Sequence, residues 1–223
     1  RAPQGVTEPL TTIVLIRHGR TQLTESKRIS GSGGSNPPLS ELGRQDASAA
    51  AAAVGQIGRS GPFYYLPAVS QVISSPMLRT RETAAFVADA IGCEVEIESN
   101  FAEISFGRWD GLQNDEAIAL DPEHFASWQG SWTQSPPGGE SLEVFDARLQ
   151  KGLDNLLTRN AGKSVAVVAH VMPIRGLFRT AAGAGPESYW VPQIAPCSLT
   201  ILRFWGRQAT EIITLNSTAH LVD

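Results

Sequence analysis

The sequence predicts an α/β protein of three layers: a mostly parallel central sheet with helices on both faces and a small cap insertion. Three observations predict it. Short, continuous, β-branched runs at 13–16, 69–74 and 164–168 have the character of strands buried on both faces. They alternate with longer segments whose apolar residues recur at helical spacing. Two of the runs end abruptly in polar groups, as VLIRHG and VVAH, at the strand ends where open α/β sheets hold ligands.

Taken in order, residues 1–11 lack both an initiator Met and a hydrophobic pattern. They are expected to be a tail or linker, so the chain reads as part of a longer protein, with its folded domain at 12–223. The first strand ends in Arg17-His18-Gly19. SGSGGSNPP, residues 30–38, is a loop by composition. Ser40 is placed to cap a helix running to about residue 57, in which the alanines of 49–53 favour helix strongly. After the second strand, Ser75 and Pro76 supply the N-cap and first position of a helix that puts Arg79 in its first turn and stops at Gly92. A third strand at 93–97 leads to a loop carrying Glu103. Residues 111–140 hold Phe125, Trp128, Trp132 and a Pro-Pro pair with little helical pattern, and are expected to form a cap over the sheet. From Ser141 onward, Leu142, Phe145, Leu149, Leu153, Leu156 and Leu157 fall at helical spacing. The strand at 164–168 ends at Ala169-His170. A short helix at 172–182 and a final strand pair at 199–205 and 211–215 complete the pattern.

A chain of 223 residues suits one domain with a cap. Its net charge of −4 argues against a nucleic-acid binder. Cys93 and Cys197 form neither a CxxC pair nor a zinc spacing. They are expected to be buried thiols in a reducing, cytoplasmic setting. No apolar run approaches the roughly 18–20 residues of a membrane span, so no membrane partner is expected. No signal-peptide pattern is visible. The SGSGG loop lacks the lysine of a P-loop, which counts against a nucleotide triphosphatase.

A single histidine after an apolar strand is ordinarily a packed structural residue. Here two strand ends carry one each, and adjacent ends would expose both to one crevice. A phosphate there would meet His18, His170, Arg17 and Arg79, and guanidinium forks match phosphate oxygens. Phosphoryl transfer through histidine needs a neutral ring nitrogen in line with the leaving oxygen. The other nitrogen must be held by a carbonyl, and a carboxylic acid must protonate the alkoxide. Glu103 is the first choice for that acid, with Glu98 and Asp110 as neighbours able to replace it. A metal site built from His18, His170 and Glu103 shows no short ligand spacing. Trp109, Trp128 and Trp132 either line the pocket or pack the cap.

The segments LIRHGRT, PLSELGRQDA, VISSPMLRTRETA, AEISFGRWDG, PPGGES and VVAHVMPIR, in this order, resemble the histidine phosphatase superfamily, in the branch that includes phosphoglycerate mutase. Within it, APCSLTIL and LNSTAHL resemble the C-terminal domain of actinobacterial proteins that join ribonuclease H to an acid phosphatase. The resemblance implies a phosphoglycerate mutase-like fold and a small phosphorylated substrate. It also implies hydrolysis without metal or cofactor, and a ribonuclease H domain elsewhere in the full-length protein. It makes His18 the phosphorylated nucleophile, Arg17, Arg79 and His170 the phosphate-binding groups, and Glu103 the acid–base residue. Ser30 and Gly31 become the loop that touches phosphate through a hydroxyl and a backbone N–H. Gly19, Thr21, Thr24 and Val171 border the substrate, Gly19 allowing close backbone approach.

Three positions depart from the pattern. Thr24 stands where an Asn is common, Arg20 where a Gln or Glu is usual, and Ala169 where a Ser commonly precedes the second histidine. The last departure is expected to leave His170 without a hydroxyl support. The segment from Ile104 to Gly111 after Glu103 is mainly small and apolar where the resemblance gives mutases a basic stretch, which favours a phosphatase over a mutase. A non-catalytic phospho-ligand module would need neither His18 nor Glu103.

Overall fold

The computed structural model describes residues 2–221. Arg1, Val222 and Asp223, which the tail and domain expectations include, lie outside the described residues. Six strands form one sheet: β1 (Leu10–Arg17), β2 (Gln71–Ser74), β3 (Val95–Ile97), β4 (Ser164–Ala169), β5 (Leu199–Trp205) and β6 (Ala209–Ser217), in the order β3-β2-β4-β1-β5-β6. The β3-β2-β4-β1 half is parallel; β5 runs antiparallel to β1, and β6 antiparallel to β5. The helices are α1 (Gln22–Glu25), α2 (Glu41–Gln56), α3 (Leu78–Ile91), α4 (Asn114–Leu120), α5 (Pro122–Trp128), α6 (Leu142–Arg159) and α7 (Val171–Ala182).

Strand alternation divides the core. Ile13 and Leu15 of β1, with Val165 and Val167 of β4, join Phe145, Leu149 and Leu153 of α6 and Ile174 and Leu177 of α7. Val14 and Ile16, with Ala166 and Val168, join Ala47, Ala50 and Val54 of α2 and Ala84 and Val87 of α3. Small alanines on α2 and α3 let these helices lie close together, while leucines and phenylalanine fill the thicker layer opposite. A third, separate cluster of Trp109, Ala117 and Trp128 forms where α4 and α5 fold back on the loop after Glu103. Each of these two helices has only seven residues, too few for a periodic signal, so the stretch looked irregular in sequence.

Ser40 caps α2 as expected, its Oγ accepting from Gly43 N–H at 3.1 Å, and the structure adds Ser141, whose Oγ accepts from Val144 N–H at 3.2 Å at the start of α6. Gly92 ends α3 in the left-handed conformation with φ 73°. Two expectations need correction. The tail does not extend through residue 11, because Leu10 and Thr11 already pair with Trp205 and Phe204 of β5. Ser75 is not the cap of α3, which begins at Leu78 after Met77. Its hydroxyl is committed elsewhere, and Asn36 Oδ1 accepts from Leu78 N–H at 2.8 Å instead.

Candidate active site

The parallel register of β1 and β4 pairs Arg17 with Ala169, so the next residue of each strand is a histidine. His18 N–H donates to Ala169 O at 3.0 Å, and the two imidazole centroids lie 5.2 Å apart. The rings do not stand exposed in an open crevice as expected. His18 is 5% exposed and His170 0%, at the floor of the site.

Two contacts define the tautomer of His18. Its Nδ1 lies 2.8 Å from Gly19 O, a carbonyl that can only accept, so Nδ1 carries the proton. Arg79 Nε–H donates to His18 Nε2 at 3.3 Å, which requires a lone pair there. Burial, then the charges of Arg79 and Arg17, hold the ring's pKa well below its ordinary value, so it is neutral near neutral pH. The nitrogen that faces Arg79 is therefore unprotonated, and its lone pair can act as a nucleophile once it leaves the Arg79 hydrogen bond.

Arg79 is fully buried and its Nη2 donates to the carbonyls of Ser30 and Gly31 at 3.1 and 3.3 Å. Arg17 Nη1 donates to Ile194 O at 2.7 Å. Burial lowers the Arg17 pKa to about 10, which still leaves it charged. Arg79 Nη1, Arg17 Nε, Ser30 Oγ and His170 Nδ1 are buried and have no hydrogen-bond partner among the described residues. Four unsatisfied polar atoms in one small region are costly unless a ligand satisfies them.

Glu103 lies in the wall of the same cavity, 5% exposed. Burial raises its pKa above the ordinary carboxylate value, opposed by the N–H groups of Ile104 and Met172 and by Arg79 and Arg17. Arg148 of α6 clamps its loop, donating to the carbonyls of Asn100, Ala102 and Glu103 at 2.9, 2.9 and 3.0 Å. The two acidic neighbours are placed differently. Glu98 accepts from Asn100 and Asn155 near the edge of the sheet, and Asp110 Oδ1 accepts from Gly31 N–H at 2.6 Å.

The cavity measures about 500 Å³, and Thr24, Ser30 and Val171 line it beside Arg17, His18 and Glu103. A larger depression, about 930 Å³, lies beside Arg20, Asp46 and Pro196 and contains none of the site groups. Arg20 is paired with Asp46 at 2.7 Å, so its charge is directed away from the phosphate end. Thr21 is buried beneath the site, where its hydroxyl caps α1 and meets Thr24 Oγ1 at 3.1 Å. Gly31 does not present its N–H to the cavity, because Asp110 holds it. Gly19 is small for a reason other than ligand approach. A Cβ there would lie 2.5 Å from Gly43 O, and its N–H donates to Thr83 Oγ1 at 3.0 Å. Trp109 and Trp128 line the cavity, whereas Trp132 packs against Tyr189.

The chain matches the family described as the histidine phosphatase superfamily (branch 1) over residues 13–218. It belongs to that superfamily. The bifunctional protein Rv2228c of Mycobacterium tuberculosis is 36% identical over 211 residues, covering 95% of this chain and 55% of the relative. The chain thus spans about half the length of the curated mycobacterial relatives it matches. Phosphoserine phosphatase 1 of Hydrogenobacter thermophilus is 28% identical over 214 residues, covering 94% of this chain and 93% of the relative. Among solved structures, one described as mycobacterial hydrolase 1 superposes with a TM-score of 0.81 at 25% identity, over 94% of this chain and all of its own. The six-stranded, mostly parallel sheet with helices on both faces is the fold of this superfamily.

One residue of this family site was missed in the sequence. Ser75 Oγ lies 2.6 Å from His170 Nε2 and 2.8 Å from Thr80 Oγ1. Thr80 Oγ1 also contacts the carbonyls of Ser75 and Met77 at 3.0 and 2.8 Å, and these can only accept. The single Thr80 proton therefore goes to a carbonyl, Ser75 donates to Thr80, and Ser75 Oγ accepts from His170 Nε2–H. This corrects the expectation from Ala169: His170 has a hydroxyl support, supplied from β2 instead of from its own strand. Ser75→Ala is expected to raise the inhibition constant of inorganic phosphate roughly tenfold. It should also shift the His170 ring 15N resonances, with Ser75→Thr restoring both. Unchanged resonances and inhibition would show that the hydroxyl does not orient the ring.

Proposed function

We propose that this chain is a metal-independent phosphomonoesterase of the acid phosphatase type, acting through a phosphohistidine on His18. The observation that carries this reading is the ring of His18. It is buried and neutral, with Nδ1–H on a carbonyl and an unprotonated Nε2 that accepts from Arg79 Nε–H at 3.3 Å. In the first step His18 Nε2 forms a bond to phosphorus as the bond to the ester oxygen breaks. The Glu103 carboxylic acid gives its proton to the departing alkoxide, so the alcohol leaves neutral. Arg17 and Arg79 hold the equatorial oxygens while the charge redistributes, and His170, whose Nε2–H is on Ser75, meets a phosphate oxygen through Nδ1 where a phosphate proton lies between the two. The imidazole gains positive charge on phosphorylation, and Gly19 O stabilises it through Nδ1–H. In the second step water attacks phosphorus, Glu103 takes its proton, and inorganic phosphate departs from His18. Ser30, Thr24 and Val171 border the ester, while Gly19, Gly31 and Thr21 shape the loops from behind.

Phosphatase relatives support hydrolysis at the family level. The stretch after Glu103, Ile104-Ser105-Phe106-Gly107-Arg108-Trp109-Asp110-Gly111, is mainly small and apolar, which favours water over a sugar-acid acceptor. Among the described residues no group of three or more His, Cys, Asp or Glu is placed to hold a metal ion, and no helix is long and apolar enough to cross a membrane. Cys197 is buried as expected, whereas Cys93, near the sheet edge, is only half-buried; both are unpaired, which is compatible with a reducing, cytoplasmic setting. The full-length protein would join this domain to ribonuclease H. The half-length match to a relative called bifunctional supports that part of the reading.

The test is rapid quench with a 32P-labelled phosphomonoester. An acid-labile, base-stable phosphoenzyme should form and decay to inorganic phosphate, with turnover unchanged by EDTA. Transfer of the label to a second hydroxyl without phosphate release would point to a mutase. Binding with neither phosphoenzyme nor release would point to a non-catalytic module.

A further inference from the structure

Glu103 stands on a stretch that is neither helix nor strand. The 3₁₀ turn Ser99–Phe101 precedes it and the 3₁₀ turn Gly107–Trp109 follows. Main-chain groups between these turns receive no partners from regular structure, so other groups must satisfy them where water is excluded. Two side chains from later in the chain do so, and neither lines the cavity.

Arg148 of α6 has five N–H donors, and all five are engaged. Nη1 donates to Asn100 O and Ala102 O, both at 2.9 Å, and Nη2 to Glu103 O at 3.0 Å. The other two, from Nε and Nη2, go to the Glu140 carboxylate at 2.8 and 2.9 Å. Glu140 belongs to the PPGGES segment, to which the chemistry assigns no task. Its Oε2 accepts from Ser105 N–H at 2.9 Å, and its own N–H donates to Ser105 O at 2.8 Å. The backbone beside it is pressed onto the same loop, so that Ser105 O leaves no room for a Cβ on Gly139. The Arg148 guanidinium is fixed in turn, 4.7 Å from the centre of the buried Phe145 ring.

The main chain is thus pinned at Asn100, Ala102, Glu103 and Ser105, on both sides of the acid. The Glu103 carboxyl reaches the cavity from this fixed base, Oε1 accepting from Ile104 N–H at 2.9 Å and Oε2 from Met172 N–H at 3.4 Å. A general acid works only within hydrogen-bond reach of the departing oxygen, and a displacement of about 1 Å costs roughly 10²-fold in rate.

We propose that Arg148 and Glu140 are positioning residues for Glu103, which hold its carboxyl at the leaving oxygen through the main chain of the loop and do not touch the substrate. The inference rests on the reading in which Glu103 protonates the leaving group.

Arg148→Lys tests it. Lysine keeps a charge beside Glu140 but offers three donors on a point charge, too few to span three carbonyls and a carboxylate. With 4-nitrobenzyl phosphate, an alkyl ester, kcat/KM should fall about 10- to 100-fold. The nitrophenolate burst from 4-nitrophenyl phosphate, which needs no acid, and the inhibition constant of inorganic phosphate should stay within about threefold. A general loss of folding would lower all three together. In a Glu103→Gln chain, adding Arg148→Lys should cost no more than about twofold on the alkyl ester, because the group it places is already gone. Glu140→Gln should repeat the pattern more weakly, and it carries the same comparison if Arg148→Lys does not fold. An unchanged alkyl rate, equal losses on both esters, or a full further loss in the Glu103→Gln chain would overturn the proposal. Glu103→Gln measured by itself separates the two readings. If it lowers both esters equally, the acid assignment falls and takes this inference with it. If it is selective for the alkyl ester and Arg148→Lys is not, only the positioning role falls.

Discussion

Replacing His18 by alanine is expected to lower kcat/KM for any phosphomonoester by about four orders of magnitude or more, because the covalent route is lost entirely. Phosphate affinity should fall far less. Arg17, Arg79 and Ser30 remain, and their unpaired Nε, Nη1 and hydroxyl groups can still donate to the anion. The effect should therefore appear in the chemical step, and the quench experiment should trap no phosphoenzyme. The alanine also removes the acceptor for Arg79 Nε, which leaves the guanidinium with its two loop carbonyls and a stronger need for an anion. If the variant hydrolysed esters as fast as the parent, the nucleophile would lie elsewhere.

Glu103→Gln separates the two proton transfers. An amide cannot protonate an alkoxide, so turnover of alkyl phosphates should drop about 10²- to 10⁴-fold. 4-Nitrophenyl phosphate releases a stable phenolate and does not need the acid, so its first step should survive. Its second step still lacks a base. The variant should give a burst of nitrophenolate, followed by slow turnover, with phosphoenzyme accumulating. Equal losses on both esters, without a burst, would remove Glu103 from the proton path.

The pH profile of the parent has a defined sign. Burial, Arg79 and Arg17 depress the pKa of His18, so the acid limb, where the nucleophile becomes protonated, lies well below the ordinary histidine range. Burial raises the pKa of Glu103, so the alkaline limb, where the acid loses its proton, lies above the ordinary carboxylate range. The optimum falls between them on the acidic side, and Glu103→Gln should flatten the alkaline limb. A profile already flat from about pH 4 to 9 in the parent, with chemistry rate-limiting, would contradict the pairing.

Much of this site was legible because local sequence carries local geometry. A β-branched run ending in Arg-His-Gly announces its strand, and Ser40 announces its helix through a hydroxyl that caps three residues away. The adjacency of the two histidines followed from two parallel strand ends, since parallel neighbours finish at the same edge. What escaped depends on contacts between distant segments. Ser75 looks like a helix cap in sequence, yet its partner is His170, 95 residues away. Asp110 looked like a spare acid, but its work is to hold Gly31 N–H, 79 residues away. Gly19 appeared to make room for a ligand, whereas the crowding comes from the backbone of Gly43. Trp190, in the lining of the cavity, gave no signal at all, because a short 3₁₀ turn has no periodicity to betray which way its aromatic residue faces.

The unsatisfied atoms of Arg17, Arg79, Ser30 and His170 also bear on how the protein survives heating and storage. The guanidinium groups of Arg17 and Arg79 offer donors that a compact oxyanion can meet together only in the folded chain, so such an anion favours that state. At a concentration one hundred times its dissociation constant such an anion adds about 2.7 kcal/mol of stability. For a domain of this size that corresponds to a rise in Tm of roughly 5–10 °C. Phosphate, vanadate or sulfate in the buffer should therefore act as a thermal protectant as well as an inhibitor. The molecule purified in an anion-free buffer and the molecule working among metabolites would differ in endurance while sharing one fold.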